Sequence, residues 1–221
     1  MGALLVAGLF FFREKNTKPI NFMKGNQAAD QDKTSAVAPS SVVKVQSLPQ
    51  IQNLSAEDSV KWKTFEEIVK TKNDNDPRMD SQLKKLSPAI HEALFVKYKT
   101  VPAEARNERG LIVFLIARDF HSTDDMQFLE KVYEESPCLS LSDCQKLSPE
   151  DPHHSTMNET TLTYPQQSGL YLIDQQLKEK PQLLSDAAFR SQIIQILIKA
   201  ENFQVPKIQE LARSIRSRYG L

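Results

Sequence analysis

Two proline-punctuated sets of helical periodicity, each built round a run with almost no polar residue, constrain this fold most. The first run is Leu111-Ile112-Val113-Phe114-Leu115-Ile116-Ala117, directly after Gly110. An unbroken apolar run of this length reads as a buried strand or a buried helix. The residues upstream, Ala103 to Arg109, are mostly good helix formers with no break before Gly110, which favours a helix. The second run lies between Asp186 and Ala200, where Phe189, Ile193, Ile194, Ile196, Leu197 and Ile198 recur nearly all round a helix. A helix apolar on most sides is expected to lie between neighbours.

Start and stop signals divide the rest in the same way. Ser55 supplies a cap oxygen ahead of Glu57 and Asp58, and Val60, Phe65, Ile68 and Val69 follow at helical spacing beside Trp62. Asn73 to Pro77 ends that segment. Ser87-Pro88 opens a helix with the stripe Ile90, Leu94, Phe95 and Tyr98; Val101-Pro102 closes it. Ser122 with Asp124 and Asp125 caps a segment burying Met126, Phe128, Leu129 and Val132. Residues 137–163, rich in Pro, Ser, Asp and His, are expected to be irregular. Tyr164-Pro165 then starts a segment with Leu170, Leu172, Ile173 and Leu177, and Ser185 is expected to cap the second apolar helix. Pro206 starts the last one, with the inner stripe Ile208, Leu211, Ala212, Ile215 and Tyr219 and a left-handed cap at Gly220. Six glycines are few for a strand-rich fold, and the twelve prolines lie mostly between periodic segments. The expected fold is all-α: an antiparallel helical bundle or a short irregular α-solenoid over residues 55–221. The alternative is an α/β domain in which Leu111 to Ala117 is a buried strand.

The stretch from Arg109 through the apolar run to Arg118, with Asp124-Asp125 and Phe128-Leu129-Glu130-Lys131-Val132 after it, resembles a helix pair of HEAT-like repeat proteins over about 30 residues. The expected function is a non-catalytic helical domain that binds a protein partner, on the absence of any convergent reactive set together with an anchor-like start to the chain.

Ahead of this body the chain is different. Met1 to Phe12 carries no charge, and Arg13, Glu14, Lys15 and Lys18 follow. Twelve helical residues reach about 18 Å, against about 30 Å for a hydrocarbon core. Residues 1–15 therefore read as an apolar anchor or signal-like segment whose start lies upstream of Met1, as an atypical export signal, or as a segment packed on its own domain. Residues 16–54 show no sustained period and read as a disordered linker, with a span of about 30–37 Å. The expected location is the cell envelope, anchored or exported, with a cytoplasmic protein as the alternative.

Charge is balanced at 28 basic and 28 acidic residues, so no net field favours nucleic acid. Residues 119–159, however, hold ten acids against Lys131 and Lys146. Asp124, Asp125, Glu134 and Glu135 in this stretch are candidate contacts for a protein partner, although charge runs also serve solubility. Cys138 and Cys144, the only cysteines, would pair as a disulfide in an oxidising compartment and stay free in a reducing one. Glu150-Asp151-Pro152-His153-His154 gathers carboxylates and imidazoles, so a metal-binding or hydrolytic loop is the alternative function. His121 is expected to bond backbone. His91 lies on a helix, and its neighbour Glu92 points to another face. Asn53-Leu54-Ser55 and Asn158-Glu159-Thr160 match glycosylation sequons. No Gly-rich phosphate loop, G-x-S-x-G or H-E-x-x-H is present, and no cofactor is expected.

Overall fold

The computed structural model describes residues 54–146 and 155–221, which fall in one compact unit. The apolar segment 1–15, the linker to residue 53, the Asn53 sequon and the 150–154 loop lie outside the described residues. In chain order the described elements are α1 (Ala56–Thr71), α2 (Arg78–Ser81), α3 (Pro88–Thr100), α4 (Arg106–Ala117), α5 (Thr123–Val132), α6 (Ser155–Leu162), α7 (Tyr164–Glu179), a 3-10 turn (Pro181–Ser185), α8 (Ala187–Glu201) and α9 (Pro206–Tyr219). The described residues contain no strand, so the α/β alternative falls. None of their helices is long and apolar enough to cross a membrane.

Helix α4 is the axis of the core. Leu111, Ile112, Val113, Leu115, Ile116 and Ala117 are all buried. The helix packs chiefly on α7, distant in sequence, and more lightly on α3, α5 and α6. Gly110 permits the close α4–α7 approach, and Gly169 lets the Tyr133 hydroxyl at the end of α5 lie against α7. A Cβ on Gly110 would come 2.2 Å from a Tyr164 ring carbon, and one on Gly169 would come 2.6 Å from Tyr133 Oη. Helix α7 answers α4 with a nearly continuous buried surface from Pro165 to Leu177, interrupted by exposed Tyr171 and Gln175. A second layer forms where α8 packs on α9 and α5. One continuous hydrophobic cluster joins all of this, from Trp62 on α1 to Ile215 on α9.

Local chemistry sets most boundaries as expected. Ser55 Oγ accepts from Asp58 N, Ser87 Oγ from Ile90 N, and Ser122 with Asp125 forms a reciprocal capping box. Gly220 ends α9 with φ of 63°, a conformation that costs glycine little. Four expectations need correction. Residues 155–162 form helix α6 inside the stretch read as irregular. Asp186, not Ser185, caps α8 by accepting from Ala188 N and Phe189 N, because residues up to Ser185 are taken up by the 3-10 turn. Val60 points outward at 64% exposure, and Trp62 takes its place in the core. On α8, which packs on both α5 and α9, only Ile193, Ile196, Leu197 and Ala200 are fully buried, and Phe189, Ile194 and Ile198 are partly covered.

Candidate functional site

A buried polar network fixes the end of the molecule where the N-terminus of α4 meets the C-terminus of α5. Arg106 is 2% exposed, and each of its nitrogens has a partner: Nε on Leu162 O, Nη2 on Gln166 Oε1 and Nη1 on Ala103 O. Gln166, fully buried, donates from Nε2 to Val132 O and accepts from Tyr133 Oη on its backbone carbonyl. Arg109 lies over the Tyr98 ring at 3.9 Å, donates to Val101 O at the end of α3, and is held by the Glu135 carboxylate. Burial pushes the Tyr98 and Tyr133 hydroxyls well above the ordinary phenol range, so both stay neutral.

This frame carries a rigid loop. Cys138 and Cys144 form a disulfide, and Leu139 N donates to Cys144 O within the ring. Cys144 N in turn donates to Glu104 Oε1, which ties the loop to the segment preceding α4. That bond, the largest influence on the group, holds the Glu104 carboxyl below its ordinary value. The sulfurs are buried, so the ring turns its leucines outward: Leu139 is 41% exposed and Leu141 49%. Leu141 lines a cleft of about 270 Å³ shared with Ile68 and Val69 from α1, Ala105 just ahead of α4 and Leu111 on α4. Asp74, Glu104 and Glu108 stand on its rim with one exposed cation, Lys72.

The four acidic candidates do not form one surface. Asp124 and Glu134 are exposed, and Glu134 contacts Lys199 of α8. Glu135 is half-buried against Arg109. Asp125 is 1% exposed and belongs to the interior, because position N3 of α5 turns it toward the cap and toward α3. It is thereby removed from the set of surface contacts.

Asp125 instead organises a cluster that the sequence did not show. Its Oδ1 accepts from His91 Nδ1 at 2.6 Å, while Oδ2 accepts from the backbone N–H groups of His121 and Ser122. Burial raises the carboxyl's pKa, but the hydrogen bonds from His91 and from these N–H groups outweigh it and hold the carboxyl below its usual range. His121 bonds backbone as expected, its Nδ1 lying 2.9 Å from Asp119 O. The two imidazole rings are 4.8 Å apart. His91 and Asp125 are 34 residues apart, with no local spacing to announce the pairing; the apolar neighbours of His91 on α3 were the one hint that its ring is buried.

A second groove, of about 450 Å³, lies between α4 and α7 and is rimmed by Lys84, Lys85 and Lys180 with Asp80, Asp119 and Glu179. Its charges are largely satisfied internally, Arg118 on Asp80 and Lys180 on Asp119. Against known proteins, the chain matches no family model, no curated protein and no solved structure.

Proposed function

We propose that this chain is a non-catalytic, HEAT-like helical domain that binds a protein partner at the cell envelope. The carrying observation is the pair of exposed leucines, Leu139 and Leu141, held on a disulfide-closed loop beside an apolar cleft. Large apolar side chains that are exposed next to a concave apolar surface suit recognition better than solubility. Fixing them in a small covalent ring removes much of the ordering cost a flexible loop would incur on binding. The occupant that fits is an extended segment of another protein with an aliphatic side chain for the cleft and a basic residue beside it. The rim supports the base through Asp74 and Glu104, since Glu108 is paired with Lys97 and the Arg106 guanidinium is turned to partners inside. The disulfide supports a location outside the reducing cytoplasm. The apolar Met1 to Phe12 run supports a tether there.

The test is site-specific photo-crosslinking in source cells. A photoreactive residue at Leu141 should give one dominant protein adduct in the envelope fraction, lost in the Leu139→Ser, Asp74→Lys double variant. The same probe at Arg213, on the outer face of α9, should not give it. Equal adducts from both positions, or recovery of the protein from cytosol with both cysteines freely alkylated, would overturn the reading.

A further inference from the structure

We infer that His91, His121 and Asp125 form a binding site for a borderline transition-metal ion such as Zn²⁺, with the two imidazoles as ligands and Asp125 as the group that orients them. The inference stands apart from the docking surface and would survive its loss. It begins with the tautomers. A backbone carbonyl only accepts, so His121 Nδ1 must carry the proton it shares with Asp119 O. An ionised carboxylate likewise only accepts, so His91 Nδ1 carries the proton it shares with Asp125 Oδ1. In the neutral form of each ring, the form that binds a metal, the free lone pair is then on Nε2. Metal-ligating histidines are usually arranged in this way, with one ring nitrogen donating to a carboxylate or a carbonyl and the other facing the ion.

A second observation points the same way. His91 is 2% exposed, and its Nε2 has no hydrogen-bond partner. A buried acceptor left unsatisfied costs free energy, and here a ligand would remove that cost. The rings are 4.8 Å apart, and the donor atoms that the three residues offer all lie within 4.8 Å of one another. Zinc–nitrogen bonds of about 2.1 Å require the two Nε2 atoms to converge on one ion, which a turn of the His121 ring has to supply. His121 is the ring free to make it, since its side chain is 39% exposed, and that exposure also leaves positions for water. Imidazole donors select Zn²⁺, Ni²⁺ or Cu²⁺ over Mg²⁺ or Ca²⁺. A bound ion would link α3 to the start of α5, because His91 lies on one and His121 just ahead of the other.

The chain has four histidines, so His153 and His154 are the competing ligands, and the experiment separates the two pairs. Full-length protein stripped with chelator is titrated with ZnCl₂ by calorimetry, and its thermal midpoint is followed in parallel. The expected result is one saturable equivalent, a raised midpoint and no response to MgCl₂. The variant His121→Ala, at an exposed position, should weaken binding by at least about tenfold without unfolding the chain. His153→Ala with His154→Ala should leave binding unchanged. No saturable uptake, or uptake that persists in His121→Ala, would overturn the site, as would loss confined to the His153/His154 pair.

Discussion

The Nδ1 of His91 donates to Oδ1 of Asp125 at 2.6 Å, joining the middle of α3 to the first turn of α5 across 34 residues of sequence. The same carboxylate closes the capping box of α5, so one side chain serves a long-range contact and a local one.

Asp125→Asn should therefore cost more than an ordinary cap. The amide retains the size but presents an NH₂ group to at least one of three donors, and the loss should be about 1–3 kcal/mol in urea unfolding. The pH dependence has a definite sign. The folded carboxyl titrates below its unfolded value, so its contribution is present above the ordinary carboxylate range and is lost as pH falls through the folded value. The wild-type chain should lose stability on that acid limb, and the Asn variant should lose less.

Gly110→Ala should be the most damaging of the glycine substitutions. Three carbons of the Tyr164 ring would lie within 2.8 Å of the new Cβ, so the ring, at the first residue of α7, would have to shift. A loss of at least about 2 kcal/mol is expected from such overpacking. Combining it with Tyr164→Ala should give less than the sum of the two single losses. Gly220→Ala meets no atom within 4 Å and is penalised only by its positive φ, about 1 kcal/mol.

Replacing Cys138 and Cys144 together by serine should lower stability by about 2 kcal/mol, the chain-entropy value for so small a ring. Helical circular dichroism should hardly change, because the loop contributes no helix. Limited proteolysis should instead show new cleavage near Leu139 to Asp143. An intact loop in the serine variant would show that Cys144 N on Glu104 suffices to hold it.

Glu134→Gln should change stability by less than about 0.5 kcal/mol, since the residue is exposed and its partner Lys199 also contacts Glu130. Glu135→Gln should cost more, because Arg109 beside it is buried at the end of α3 and would lose its carboxylate. Thermal unfolding of the two variants side by side checks the ordering.

What the sequence determined by itself is local. Serine caps at 55, 87 and 122, prolines at 88, 165 and 206, and the left-handed Gly220 set where helices start and stop, because the groups that satisfy a helix end lie within four residues of it. The two apolar runs identified the core for the same reason: their period is a property of one segment. The cysteine pair was legible too, because only two exist. Tertiary structure decided the rest. It set Val60 outward and turned Asp125 inward, so that a residue read as part of an acidic surface became the partner of a buried histidine. It also chose α7 over α5 as the principal neighbour of α4, with a close contact between Gly110 and Tyr164 that no periodicity encodes. A side chain's face follows from its own helix, but its partner follows from how the helices stack. That depends on the shapes of surfaces far apart in the chain.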